Sequence, residues 1–281
     1  AALALYKMGD VRGGAALCRD LLAKDPLNHL ARYTLAIITG KGRKSFYDVM
    51  RSNPAETTLD VCFDLLAAGF VEDSITLLKG VNSVMPDYAM VHYTLAYCYR
   101  LLGRDDLAAK ERKAAKRKKI VDVFPSRAGE ITVLRSALAA NEKDGFAAYL
   151  LGCILYDARL YEDAASLWER AIKHEPSFYI PYRNLALAYY NHLDRAKDAL
   201  PLMRKAIELH DNDAMLLCEM ASVMQTLGGS YAENAAFMEA HKPKVVTDQI
   251  QLTIARAYSA AGDFDKAEKV MREHIFSPGE G

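Results

Sequence analysis

The stretch GFAAYLLGCILYDARLYEDAASLWERAIKHEPSF, residues 145–178, decides the fold of this chain. It holds two apolar segments at helical spacing, separated by a short polar turn. Gly152 in the first segment and Ala164 in the second are small, as two helices require where they cross closely. Leu155 and Trp168 are large and fill the space beside that crossing. The stretch therefore predicts a pair of antiparallel helices.

The same spacing recurs along the chain with a period of about 34 residues. Pro176 closes the best copy, because proline blocks continuation of the second helix. Glycine-led turns at Gly69 and Gly262 occupy matching places between the two helices of their copies. Further copies span 55–88, 89–122, 179–213 and 248–281, and weaker copies span 1–28, 29–52 and 214–247.

This pattern resembles the tetratricopeptide (TPR) repeat, whose Leu-Gly pair and Ala-x3-Phe pair correspond to Leu151-Gly152 and to Ala164 with Trp168. The resemblance implies an all-α, right-handed superhelical solenoid of antiparallel helix pairs with a concave surface. No segment alternates with period two and β-branched enrichment, so we expect no strands. Residues 1–122 and 145–281 are interpreted as two blocks of helix pairs in one continuous solenoid.

One segment interrupts the period. Phe124-Pro125-Ser126 is typical of a helix stop followed by a helix start. A helix from about Ser126 to Ala140 then has no partner of its own in the repeat pattern. We expect residues 123–144 to form an extra connecting helix between the two blocks.

Composition narrows the class of protein. The 281 residues include 36 Lys plus Arg and 36 Asp plus Glu, so nothing indicates nucleic acid or an anionic membrane as a partner. No apolar run is long enough to cross a membrane. The five cysteines form no CxxC pair, which fits a reducing compartment and predicts a cytoplasmic location. Because both ends stop abruptly, we interpret the chain as a fragment of a longer protein.

No catalytic, metal or cofactor motif is present. The histidines form no HExxH pair, the glycine pairs lack the Lys-Ser/Thr of a phosphate loop, and GxSxG does not occur. We therefore expect no cofactor, no metal and no activity of the chain's own. An enzyme completed by a missing domain stays a weaker alternative.

The repeat register predicts which side chains line the concave groove. Tyrosine has a rigid apolar face and a hydroxyl, which suits a peptide or sugar ligand, and arginine can hold a carboxylate or phosphate through two hydrogen bonds. The candidate ligand-binding residues are Tyr93, Tyr97, Tyr149, Tyr156, Arg183, Asn184, Tyr190, Glu219 and Arg256, with Leu59 and Phe63 at earlier groove positions.

Two plainer interpretations compete with this groove. Large residues such as tyrosine also fill wide gaps between solenoid helices. Arg183 and Glu219, from adjacent repeats, could simply pair with each other. The basic run from Lys110 to Lys119, interrupted by Glu111, has a similar ambiguity. It is interpreted mainly as a solvated helix face, with docking against an acidic neighbouring domain as the alternative.

Several phrases resemble one family of large bacterial proteins of unknown function, which have a mutarotase-like β-sandwich half followed by a helical-repeat half. The phrases are Phe124-Pro125-Ser126-Arg127, Tyr149-Leu150-Leu151-Gly152, Arg183-Asn184-Leu185 and Leu217-Cys218-Glu219. The closing Phe276-Ser277-Pro278-Gly279-Glu280-Gly281 departs from the family's Trp-Glu-Gly-Gly-Glu-Gly form. The resemblance implies that this chain is the C-terminal repeat half and has a link to carbohydrates.

These observations predict a binding scaffold whose groove holds a peptide, a protein partner or its own N-terminal domain. The alternative is a carbohydrate-associated module of a larger sugar-processing protein. In that alternative, the groove tyrosines together with Arg183, Asn184 and Glu219 hold a sugar.

Overall fold

The computed structural model describes residues 1–50, 54–86, 88–116, 123–211, 213–241 and 247–276. Within these ranges every regular element is a helix and no strand occurs. The all-α fold predicted from the repeat is therefore confirmed. The chain divides into two compact units, Ala1–Glu142 (unit 1) and Lys143–Gly281 (unit 2).

The helices of unit 1 are α1 (Ala2–Lys7), α2 (Val11–Lys24), α3 (His29–Thr39), α4 (Arg43–Phe46), α5 (Pro54–Ala67), α6 (Val71–Val84), α7 (Ala89–Leu101), α8 (Asp105–Ala115) and α9 (Ala128–Ala140). Those of unit 2 are α10 (Gly145–Asp157), α11 (Tyr161–His174), α12 (Tyr179–Asn191), α13 (Ala196–Leu209), α14 (Ala214–Thr226), α15 (Tyr231–Ala240), α16 (Asp248–Ala260) and α17 (Phe264–Arg272).

Consecutive helices form pairs joined by short turns, as the period predicts. The copy at 145–178 is the pair α10–α11, and the weaker copy at 214–247 is also a regular pair, α14–α15. The first helix of a pair packs on the second helix of the preceding pair, as α7 does on α6 and α12 on α11. The predicted turn glycines Gly69 and Gly262 have φ of +76° and +81°, a left-handed conformation that glycine adopts without steric cost.

The close crossing predicted within α10–α11 is present. A Cβ placed on Gly152 would lie 2.5 Å from Nε1 of Trp168, so no larger residue fits unless the indole moves. The indole is buried and donates a hydrogen bond of 3.2 Å to the carbonyl oxygen of Tyr149. The fourth residue of the other second helices in unit 2 is also buried: these residues are Ala199, Asn234 and Ala267. The helices of each pair therefore meet where a compact side chain permits close approach.

The copy at 29–52 departs from a regular pair. Among the described residues between α3 and α5, the four-residue α4 and a 3-10 turn at Tyr47–Val49 are the only helical segments. The Tyr47 hydroxyl donates a 2.7 Å hydrogen bond to the carbonyl oxygen of Leu77 on α6. It reaches this oxygen over Gly80, where a Cβ would lie 2.0 Å from the hydroxyl. The hydrogen bond from Tyr47 thus joins this short segment to α6.

Tyrosine–glutamate hydrogen bonds tie neighbouring pairs of unit 2 together. The hydroxyl of Tyr189 on α12 donates to Glu169 on α11, and that of Tyr258 on α16 donates to Glu239 on α15. The guanidinium of Arg195 lies 3.8 Å from the Tyr189 ring centroid, within range of a cation–π contact. Burial and the glutamate acceptor raise the pKa of Tyr189 and of Tyr258 to about 12.

The helix predicted over about Ser126 to Ala140 is α9, which begins at Ala128. It belongs to unit 1, because the division between the units follows Glu142. α9 packs on α7, a contact that the repeat register does not predict. Whether the two blocks form one continuous solenoid stays a prediction.

Replacing Gly152 with alanine tests the close crossing. Gly152→Ala forces the methyl group against the Trp168 indole, and this strain exceeds the gain in helix propensity. We expect a net loss of about 1–2 kcal/mol in the free energy of unfolding, measured by urea denaturation. In a Trp168→Phe background the same substitution should cost clearly less, because the clashing Nε1 is gone. An equal cost in both backgrounds would contradict a steric crossing.

Alkaline pH tests the tyrosine–glutamate hydrogen bonds. Tyrosine in an unfolded chain ionises near about pH 10, whereas Tyr189 and Tyr258 have pKa values of about 12 in the folded chain. The unfolded state therefore releases these protons first as pH rises. Their stabilisation should be complete below about pH 10 and should fall between about pH 10 and 12. Urea denaturation at several pH values should show a shallower fall for Tyr189→Phe/Tyr258→Phe; identical slopes would refute the assignment.

Candidate functional site

The candidate site is a surface of unit 2 made by the first helices of its pairs, α10, α12, α14 and α16. Its side chains are half-exposed, apart from the fully exposed Arg256, and we call them the first-helix face of unit 2. They are Phe146, Cys153, Tyr156, Arg183, Asn184, Tyr190, Cys218, Glu219, Thr253 and Arg256.

Arg183 and Glu219 form the centre of this face. Nε of Arg183 donates to Oε2 of Glu219 at 2.8 Å, and Nη2 donates to Oε1 at 2.5 Å. The two side chains are 27% and 19% exposed. The hydrogen bond to Glu219 raises the pKa of the Arg183 guanidinium, so arginine stays charged. Two of the five guanidinium N–H donors are used, and the described residues provide no acceptor for the other three.

Acidic groups surround this arginine. Asp213, the N-cap of α14, accepts hydrogen bonds from the backbone N–H groups of Met215 and Leu216 and lies close enough to act on Arg183 electrostatically. Tyr179 stacks on His210 with ring centroids 4.4 Å apart, and burial raises the Tyr179 pKa. The positive charge of Arg183 therefore lies near two negative charges, those of Glu219 and Asp213. Glu219 occupies the Nε–Nη2 edge of Arg183, so that edge is closed to a ligand carboxylate, and the role of Arg183 in ligand binding stays a prediction.

Polar contacts connect the remaining first helices. The amide of Asn184 lies 4.0 Å from Sγ of Cys153, and Sγ of Cys218 lies 3.8 Å from the hydroxyl oxygen of Thr253. A 2.8 Å hydrogen bond links the hydroxyls of Tyr190 and Thr226. Each contact joins neighbouring pairs. The row is therefore held in place before any ligand binds.

The thiols of this face are not activated. Burial raises the pKa of Cys153 to about 11 and also raises the pKa of Cys218. Both are therefore protonated at neutral pH, whereas a nucleophilic cysteine has a lowered pKa.

The tyrosines differ from what the register predicts. Tyr93 and Tyr149 are only 1% and 3% exposed, so the expectation that they line an open groove is wrong. Tyr149 packs against Phe178 with ring centroids 4.9 Å apart, and burial raises its pKa. These rings fill the gaps between helices, which is the alternative that the sequence analysis gives for the tyrosines. Tyr97, in unit 1, is half-buried.

Tyr156 is half-exposed, but other rings surround it. Its ring centroid lies 5.2 Å from that of Tyr161, 5.3 Å from Trp168 and 5.4 Å from His192. Tyr161 and His192 stack on each other at 3.9 Å. The faces of these rings are thus largely engaged with one another and do not form an open stacking platform.

Arg256 is exposed on α16 and makes no hydrogen bond or ion pair with the described residues. It lines an open cleft of about 720 Å³ between α16 and α17, together with Leu252, Phe264 and Met271. On the first-helix face, α16 with Arg256 lies two pairs after α12 with Arg183.

The basic run is only partly described, since Arg117, Lys118 and Lys119 lie outside the described residues. Lys110 and Lys113 are exposed on α8. Glu111, which interrupts the run in sequence, turns inward and lies 2.7 Å from Nδ1 of His92. A docking role for this run stays a prediction.

In the described part of the chain, no three His, Cys, Asp or Glu side chains are grouped so as to hold a metal ion. Over the same residues, every helix is too short or too polar to cross a membrane. Sequence reasoning missed Asp213, Thr226 and Thr253. Asp213 had a recognisable signal, an aspartate immediately before an apolar helix.

Comparison with known proteins gives one family match. Residues 149–214 match the tetratricopeptide repeat family. Among solved structures, the chain is similar to pilF of Pseudomonas aeruginosa, with 18% identity over 83% of this chain and 92% of that one and a TM-score of 0.44. It is also similar to YrrB, a TPR protein with an unusual peptide-binding site (14% identity, 78% and 87% coverage, TM-score 0.32). A third is MamA from Desulfovibrio magneticus RS-1 (16% identity, 80% and 99% coverage, TM-score 0.36).

A double-mutant cycle measures how strongly Arg183 and Glu219 are coupled. Because the pair is partly buried and doubly hydrogen-bonded, Arg183→Ala/Glu219→Ala should lose about 1 kcal/mol less than the sum of the single variants. Urea denaturation gives the four values. The exposed pair Lys205 and Glu208, 2.9 Å apart, is the matched control and should show no measurable coupling. A coupling between Arg183 and Glu219 as small as that of the control pair would show that Glu219 does not hold Arg183 in place.

Proposed function

We propose that this chain is a non-enzymatic binding scaffold whose first-helix face in unit 2 holds a segment of a protein partner. The observation that carries the proposal is the arginine at the centre of that face. Glu219 holds the Arg183 guanidinium through two hydrogen bonds, and its three remaining N–H donors are without an acceptor among the described residues.

The pairing with Glu219 prepares Arg183 for binding. A free arginine loses rotamer freedom when it binds, and this loss weakens affinity. Here the helix-to-helix hydrogen bonds already fix the side chain. Arginine and tyrosine are also the residue types that most often dominate protein interfaces, and Tyr190 lies on the same face.

Charge defines the chemistry of the segment. Glu219 and Asp213 together outweigh the charge of Arg183, so a ligand carboxylate would be repelled. A neutral carbonyl oxygen can still accept from the free N–H groups of Arg183. The face therefore favours the backbone of an extended peptide, with neutral or basic side chains beside Glu219 and Asp213. A segment of a neighbouring domain in the same protein meets these requirements as well as a separate partner does.

The chemistry of the face supports binding over catalysis. The thiols of Cys153 and Cys218 have raised pKa values, which disfavours nucleophilic attack at neutral pH. A sugar site would need an open aromatic face, but Tyr149 is buried and Tyr156 is surrounded by other rings. No observation on the described residues favours the carbohydrate alternative over a peptide.

Peptide selection tests this proposal without a known partner. A phage-displayed library of random peptides is selected on the wild-type chain, and the enriched peptides are titrated by fluorescence anisotropy. We expect peptides without acidic side chains or a free carboxylate at the contact. Arg183→Ala should weaken their binding at least about tenfold, since charged interface hydrogen bonds contribute this much or more.

Arg204→Ala is the matched control, because the substitution removes the same charge from an arginine that is exposed on the second helix α13. It should leave the affinity unchanged. Peptides that bind Arg183→Ala as tightly as wild type would place the binding surface elsewhere. A thermal shift with oligosaccharides that Arg183→Ala abolishes would favour the carbohydrate alternative.

A further inference from the structure

The hydrogen-bonding groups left over at the centre of the first-helix face of unit 2 are of two kinds. Arg183 keeps three N–H donors that have no acceptor among the described residues. The acceptors beside it are the carboxylates of Glu219 and Asp213. Oδ1 of Asp213 accepts from the backbone N–H groups of Met215 and Leu216, whereas its Oδ2 has no hydrogen bond with the described residues. The face therefore combines free donors with charged acceptors.

These two kinds of group set different requirements on a ligand. The free N–H groups of Arg183 are satisfied by neutral carbonyl oxygens, since a ligand carboxylate is repelled by Glu219 and Asp213. A carboxylate is best satisfied by a cationic donor, which makes the strongest hydrogen bonds available to it. The ligand that suits this face therefore has carbonyl oxygens, a basic side chain and few backbone N–H groups.

Proline meets the requirement for the backbone, because it has a carbonyl oxygen but no N–H group. A proline-rich segment brings acceptors to Arg183 without leaving its own N–H donors unpaired against the face. Such a segment is also ordered before it binds, because the fixed φ of proline favours the polyproline II helix. It therefore loses little conformational entropy on binding.

The spacing of the first helices matches the repeat of a polyproline II helix. Arg183 and Glu219 join α12 to α14 directly, and α14 packs on α16. Packed helices lie about 8–10 Å apart. A polyproline II helix presents the same side every three residues, or about 9.3 Å. A β-strand does so every two residues, or about 6.7 Å, and does not match the helix spacing.

Two tyrosine hydroxyls add donors at the other end of the same helices. Tyr156 on α10 and Tyr190 on α12 are each the twelfth residue of their helix, and both are half-exposed. The Tyr190 hydroxyl shares a 2.8 Å hydrogen bond with that of Thr226, so one of these two hydroxyls keeps its hydrogen for a ligand. The Tyr156 hydroxyl has no hydrogen bond with the described residues. Hydroxyl-bearing aromatic residues are typical of grooves that bind polyproline II segments.

We propose that the segment held by the first-helix face of unit 2 is proline-rich, adopts the polyproline II conformation and carries a basic side chain. This inference rests on the proposed function, because it names the chemistry of the segment bound at that same face. The free donors of Arg183 bind carbonyl oxygens of the segment. Asp213 and Glu219 bind its basic side chain, and Asp213 is the specificity-determining residue because its Oδ2 has no partner among the described residues.

Two fluorescein-labelled peptides, titrated against the full chain by anisotropy, test the conformation of the segment. The probe is a capped oligoproline with one central arginine. In the control peptide, alternating glycine and serine replace every proline, so that length and charge are unchanged. The probe should bind at least about tenfold more tightly, because the flexible control loses more entropy and brings backbone N–H groups. Equal affinities, or no binding of the probe, would overturn the proposal.

Substitutions in the chain test where the basic side chain binds. Asp213→Asn removes one charge, and asparagine still caps α14, so the fold is kept. It should weaken binding of the arginine probe at least about threefold and leave an oligoproline with glutamine in place of arginine unaffected. Arg183→Ala should weaken both oligoprolines at least about tenfold, and Arg204→Ala should change neither. Equal losses of both oligoprolines in Asp213→Asn would contradict the pairing.

Failure of this inference and failure of the proposed function give different results. Peptides selected from the random library that lose affinity in Arg183→Ala but contain no excess of proline would overturn the polyproline II segment and keep the binding face. If no selected peptide depends on Arg183, both proposals are wrong.

Discussion

Close approach of the two helices in a pair is the constraint on which the other features of unit 2 depend. Gly152 leaves room for one edge of the buried Trp168 indole, and compact buried residues occupy the fourth position of the second helices of unit 2. Because each pair is built alike, the first helices recur at nearly constant spacing in sequence. Arg183 and Glu219 lie 36 residues apart and meet for this reason. The binding chemistry proposed for this face is thus a consequence of the crossing, repeated along the chain.

Much of this architecture is predictable because it is local. Helix pairs, the glycine turns at Gly69 and Gly262 and the crossing at Gly152 follow from residues within one repeat. The pairing of Arg183 with Glu219 was one of two alternatives that the register allowed. Periodicity gives the direction of a side chain but not its depth, so it could not show that Tyr93 and Tyr149 are buried. Nor could it place α9, whose anchor at Arg127 depends on carboxylates more than 60 residues earlier.

The two units use the same kind of surface differently. In unit 1, α9 packs on α7, and Arg127 joins it to the carboxylates of α5. In unit 2, the corresponding side chains are half-exposed and hold one another through polar contacts. Arginine is central in both units. Arg127 donates its hydrogen bonds to acceptors of its own chain, whereas three N–H donors of Arg183 have no acceptor among the described residues. A single repeat design thus ties α9 into unit 1 and leaves donors of Arg183 on unit 2 for the partner proposed above.

The central claim is that partners bind the first-helix face of unit 2, and the chain's own cysteines test it most directly. Cys218 is half-exposed beside Glu219, whereas Cys18, Cys62 and Cys98 are buried. The measurement is the rate of maleimide labelling of each cysteine, by mass spectrometry at mildly alkaline pH, with and without a saturating selected peptide. We predict that the peptide slows labelling of Cys218 severalfold and leaves the buried cysteines unchanged. An unchanged rate at Cys218 with the peptide fully bound would contradict the claim.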